Sequence, residues 1–72
     1  MKITYDSDAD AMYIYLDEGA KVDKTKEISK DFILDYDKSG NIIGVELLFV
    51  KEKRPELLKQ INVENLVAAW FF

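Results

Sequence analysis

Seventy-two residues, 49% apolar and 33% charged, amount to one domain of ordinary globular composition, which excludes a multidomain enzyme and a disordered polymer. The sequence holds no cysteine and no histidine, excluding disulfides, thiolate or imidazole metal sites, and nucleophiles or bases built on either residue. A net charge of -4 argues against a general binder of phosphate backbones, so no nucleic-acid partner is expected.

Lys2 to Asp6 alternates, with Ile3 and Tyr5 against Lys2, Thr4 and Asp6, and reads as a short strand. Asp6-Ser7-Asp8-Ala9-Asp10 reverses the chain, because its short side-chain oxygens can bond nearby backbone N–H groups. Ala11 to Leu16 is the second strand, placing Met12, Ile14 and Leu16 on one face and Ala11, Tyr13 and Tyr15 on the other. Val22 to Ile28 alternates weakly and carries lysines, which suits an edge strand. Phe32, Leu34 and Tyr36 share one face of a fourth strand, opposed by Ile33, Asp35 and Asp37. Lys38-Ser39-Gly40-Asn41 has tight-turn composition.

Ile42 to Val50 is predicted as the fifth and most buried strand, largely apolar on both faces and therefore in need of cover on both. Pro55 followed by Glu56 marks a helix start running through Leu57, Leu58 and Ile61. A second stripe, Val63, Leu66, Val67 and Trp70, lies on nearly the opposite side of a continuous helix. It predicts a break near Ile61-Asn62 with Asn62 as a cap; one helix buried all round is the competing reading. The fold class is thus α+β: an antiparallel β-meander of four to five strands followed by one or two short C-terminal helices. It forms a single domain over 1–72, with the sheet in 1–50 and the helical segment in 54–72.

No apolar leader opens the chain, and the longest apolar run is broken by Glu46. The expectation is a soluble cytoplasmic protein with no membrane partner. Charge is uneven, ten acids against five lysines over 1–37 and four acids against five bases over 38–72. Such halves could align two chains, although a mixed solvated surface accounts for them without a partner.

Two acidic runs suggest cation chemistry. Asp35 to Glu46 follows the spacing of a calcium-binding EF-hand loop, with Asp35 and Asp37 at positions 1 and 3, Gly40 at 6 and Glu46 at 12. Position 9 is Ile43, however, and the flanks have strand rather than helix character, so a hairpin with Gly40 in the turn is the better reading. Asp6-x-Asp8-x-Asp10 likewise reads as turn chemistry. No cofactor and no catalytic residue is expected. Four tyrosines, Tyr5, Tyr13, Tyr15 and Tyr36, could stack nucleic-acid bases, but the basic groove is missing, which favours a core edge or a protein interface.

Tyr5-Asp6, Ala9-Asp10-Ala11 and Met12-Tyr13-Ile14, then Ile33-Leu34-Asp35-Tyr36-Asp37, Gly40 and Ile43-Gly44-Val45-Glu46-Leu47-Leu48, resemble a family of small prokaryotic proteins known as domain of unknown function 2283. The resemblance covers roughly residues 2 to 50 and implies a small antiparallel sheet with C-terminal helix, without an established activity. Because such proteins are sometimes encoded beside small toxin-like proteins, it also implies an antitoxin-like binding role.

A chain this short buries only about 60% of its unfolded surface, and oligomerisation is the staple still open to it. The leading expectation is a noncatalytic module acting through protein contacts, a homodimer or higher homo-oligomer, with a small protein as another possible partner. Its candidate interface is Ile42, Leu48, Val50, Leu66, Val67, Trp70, Phe71 and Phe72. The alternative is a small-ligand or divalent-cation protein centred on Asp35, Asp37 and Glu46.

Overall fold

A computed structural model of the chain describes residues 1–59. Within them the fold is α+β: five antiparallel strands, β1 (Lys2–Asp6), β2 (Ala11–Tyr15), β3 (Lys24–Ser29), β4 (Phe32–Tyr36) and β5 (Ile42–Leu48), then a four-residue helix, α1 (Val50–Lys53). Residues 55–59 are again helical, starting at the predicted Pro55. The expected break near Ile61-Asn62 and the stripe from Val63 to Trp70 lie outside the described residues.

The strands lie in the order β1-β2-β5-β4-β3. β3, β4 and β5 run as a meander, and β5 then inserts against β2, so the last four strands make a Greek key. The most apolar strand takes the centre. The connection from β2 to β3 crosses that end of the sheet, where the Ile43 carbonyl accepts from the amides of Leu16 (3.0 Å) and Asp17 (3.2 Å). β3 is an edge as expected, but it begins at Lys24, because Val22 and Asp23 belong to this connection. All six of its residues are exposed.

Directly paired residues in an antiparallel sheet share a face, so the register sorts the side chains. Ile3 pairs with Ile14, Ile14 with Val45 and Val45 with Leu34, while Tyr5 pairs with Met12, Met12 with Leu47 and Leu47 with Phe32. That face is apolar across β1, β2, β5 and β4, and Lys24 and Lys26 of β3 border it. The other carries Thr4, Tyr13, Tyr15, Gly44, Glu46, Ile33, Asp35 and Thr25. A bulge lies between Asp35 and Tyr36 on one side and Gly44 and Ile42 on the other, leaving Ile43 as the extra residue, 5% exposed.

The expectation for β5 needs two corrections. The strand stops at Leu48, because Phe49 takes a left-handed backbone (φ 56°) and Val50 opens α1. For a residue with a Cβ that conformation is strained, and the reversal carries Val50 to 1% exposure, as low as Met12. Nor is the second face of β5 apolar. The bulge moves Ile42 and the turn at Phe49 moves Val50 off the face that alternation assigned them with Gly44, Glu46 and Leu48, so this side, with Tyr13, calls for less apolar cover than the sequence suggested. α1 ends at Arg54 (φ -139°, ψ 59°), since the residue before a proline is pushed out of the helical region. No helix among the described residues is long and apolar enough to cross a membrane.

Candidate functional site

The polar face carries a chain of contacts that touches four of the five strands. At the β1 end, the Lys2 ammonium lies 5.2 Å from the Tyr15 ring centroid, and the Tyr15 and Tyr13 rings meet at 4.5 Å. The Tyr13 hydroxyl then donates to Asp35 Oδ2 on β4, and Thr25 Oγ1 on β3 donates to Asp35 Oδ1 at 2.5 Å. Tyr13 reaches Asp35 by passing over Gly44 of the intervening strand. A Cβ on that glycine would stand 2.7 Å from Tyr13 Cζ and 2.9 Å from Cε1. An isolated glycine inside a strand is the sequence sign of such an approach.

Burial first, and the bond to Asp35 second, hold the Tyr13 phenol far above its ordinary range. Tyr5, on the apolar face, is also raised, first by its bond to Asp10. At neutral pH Tyr13 is therefore a donor rather than a base or nucleophile, and both oxygens of Asp35 already accept bonds. The arrangement acts as a brace between strands.

These phenols set an alkaline limit. A folded value raised above the unfolded value of about 10 contributes stability that is complete below that pH and is lost as pH climbs toward the folded value. We expect the phenolate absorbance of Tyr13 to appear only together with loss of the sheet circular dichroism, and Tyr13→Phe to remove that late ionisation. An alkaline titration in which the wild type forms one phenolate more than Tyr13→Phe before the sheet is lost would contradict this.

At the far end of the sheet α1 is held by two turns. Asp10, itself left-handed (φ 53°), accepts the Lys51 amide (2.7 Å) and the Tyr5 hydroxyl (2.7 Å) on Oδ1 and the Glu52 amide (3.4 Å) on Oδ2. Its carbonyl accepts the Val50 amide at 3.2 Å. Phe49, the N-cap residue, has no side-chain acceptor, so Asp10 caps the helix from 41 residues away. From the β3–β4 turn, Asp31 accepts Lys53 Nζ at 3.3 Å and Ser29 Oγ at 2.9 Å, with Arg54 Nη1 at 3.6 Å.

The acidic runs resolve into turn chemistry. Asp6 accepts the amides of Asp8 (3.0 Å) and Ala9 (3.3 Å). Asp37 accepts the Ser39 and Asn41 amides, both at 2.9 Å, and Asn41 Nδ2 at 3.1 Å, while Gly40 supplies the positive φ (89°). Asp35 and Glu46 instead face out from neighbouring strands. Among the described residues no three acidic side chains gather into a set that could hold a metal ion. An open hollow of about 310 Å3 lies nearby, with Lys24, Lys26 and Lys38 facing Asp23 and Asp37 around Tyr36, a mixed charge that selects no ligand.

Of the expected interface residues, Ile42 is 45% exposed, Leu48 is half-buried at the end of β5 and Val50 is interior. Leu66, Val67, Trp70, Phe71 and Phe72 lie outside the described residues. The tyrosines divide, Tyr13 and Tyr15 on the polar face and Tyr5 on the apolar one. Sequence reasoning passed over the capping role of Asp10, whose signal was a residue type that tolerates left-handed backbone at the end of a turn.

A family model described as "Protein of unknown function (DUF2283)" matches residues 2–51, which span the whole sheet and the start of α1. No curated protein and no solved structure matches the chain.

Proposed function

The chain belongs to the DUF2283 family, and on that footing we propose that it is a noncatalytic cytoplasmic module that works through protein contacts and associates with a second copy of itself. The observation that carries this reading is the apolar sheet face. Ile3, Ile14, Phe32, Leu34, Val45 and Leu47 on that face are only half-buried, and the buried apolar side chains among the described residues are Met12, Ile43 and Val50. An apolar sheet face needs a layer against it, and a chain of this size gains most from a second subunit.

The noncatalytic part rests on the Tyr13–Asp35–Thr25 cluster, whose donors and acceptors are turned on one another. A small protein partner of the antitoxin-associated kind would use the same apolar face. Sedimentation velocity over a concentration series is expected to give a dimer or larger species at micromolar concentration, weakened by removal of Trp70 to Phe72. A monomer throughout, unchanged by that truncation, would sink the proposal.

A further inference from the structure

We infer that the outer edge of β1 pairs antiparallel with β1 of a second copy, centred on Thr4, so that Lys2 meets the partner's Asp6 and the two sheets join into one of ten strands. This rests on the self-association proposed above and names a contact it uses at the edge of the sheet, beside the apolar face.

Among the described residues the sheet has two edges, and they differ in the way that governs edge-to-edge pairing. β3 carries Lys24 and Lys26, is exposed at all six residues and is broken in register between Glu27 and Ser29. These are the features by which proteins block an edge. β1 has none of them beyond a lysine at its first residue. It pairs with β2 through five residues without a shift, contains no proline and is half-buried from Lys2 to Tyr5.

Symmetry then restricts the register. Two sheets joined edge to edge by a two-fold axis keep the same face up, so a residue can meet only a residue of its own face. Centring on Ile3 or Tyr5 satisfies this but leaves part of the strand unpaired. Centring on Thr4 pairs all five residues. On the polar face Thr4 meets the partner's Thr4, and each Lys2 meets the partner's Asp6. On the apolar face Ile3 meets the partner's Tyr5. Threonine pairs, aromatic with β-branched pairs and opposite charges are the favourable cross-strand combinations. Lys2 keeps its contact with the Tyr15 ring, which lies on the same face.

Five residues of edge fall below the roughly 1,000 Å2 of a stable interface, but the two apolar faces become continuous across the axis. The pairing therefore sets the register between two copies without covering either apolar face, and its expected dissociation constant is no tighter than the micromolar range.

The 72-residue chain allows a direct test, because it contains no cysteine. Directly paired residues have Cα atoms about 4.5–5.5 Å apart, within reach of a disulfide. Thr4→Cys should form a covalent dimer on mild oxidation much faster than Lys26→Cys on the guarded edge, at equal concentration. Lys2→Glu and Asp6→Lys should each weaken association about tenfold, since each sets two like-charged pairs across the axis. Mixing the two variants should restore it, because both pairs then become opposite in sign.

Asp6 also caps its own turn, so circular dichroism must first show Asp6→Lys folded; where it is not, the cysteine comparison decides. A wild-type chain that associates while Thr4→Cys crosslinks no faster than Lys26→Cys would overturn the β1 pairing and leave self-association standing. A wild-type monomer would overturn both.

Discussion

Gly44→Ala is expected to cost about 2–4 kcal/mol of stability. The added Cβ would meet the Tyr13 ring at 2.7 Å from Cζ and 2.9 Å from Cε1, closer than bonded chemistry aside allows. Overfilling a packed site costs about 1–3 kcal/mol. Relief by swinging the ring away breaks its bond to the Asp35 carboxylate, a charge-assisted interaction worth about 1.5–3 kcal/mol. The two costs are alternatives in part, so they do not simply sum. Against the roughly 4–11 kcal/mol expected for a chain of this length, the loss is large. Denaturant unfolding in a double-mutant cycle checks the cause: in a Tyr13→Ala background the same glycine substitution should cost far less. Equal costs in the two backgrounds would show that the glycine serves the strand and not the phenol.

The same contact explains why the polar face was only partly legible in the sequence. Alternation placed Tyr13 with Tyr15, and Asp35 opposite Phe32 and Leu34, and both assignments hold. Alternation cannot say which strands are neighbours. Tyr13 and Asp35 meet only because β5 enters between β2 and β4, bringing Gly44 under the ring. That order depends on β5 being the most apolar strand, a comparison among strands that no local window contains.

The reading of β5 as apolar on both faces failed for a related reason. Phe49 and Val50 continue its alternation in the sequence, yet an extra residue at Ile43 and a left-handed Phe49 each redirect the chain. Both departures are imposed by partners distant in sequence, the Leu16 and Asp17 amides for Ile43 and the Asp10 cap for the residues after Phe49. The acidic runs keep the turn reading made from the sequence. Asp6, Asp10 and Asp37 have the composition of an oxygen cage, but each serves backbone amides, which is the commoner use of aspartate in turns.

Replacing Asp10 should release α1 from the sheet while leaving the central strands in place. Asp10→Ala removes the acceptor for Lys51, Glu52 and Tyr5 and retains a Cβ at a left-handed position; Asp10→Gly removes the same acceptor without that strain. Asp10→Asn keeps one acceptor oxygen and a side chain that tolerates the backbone. Stability should therefore fall in the order wild type, Asn, Gly, Ala.

Acid titration supplies an independent check on the same carboxylate. The Lys51 amide above all, then the Tyr5 hydroxyl, hold Asp10 below the usual carboxylate range; amide and side-chain bonds from Asn41 do so for Asp37, and the Ser29 hydroxyl followed by Lys53 for Asp31. A lowered folded value contributes stability that is present above the unfolded value of about 3.9 and is lost as pH falls through the folded one. Asp10→Asn should thus make the loss of stability below pH about 4 shallower, with Asp31 and Asp37 still titrating. In amide exchange at neutral pH, Asp10→Gly should expose Val50 and Lys51 while Ile14 and Val45 retain protection. Unchanged protection at Val50 and Lys51, with an acid profile matching the wild type, would mean that α1 is held by the burial of Val50 alone.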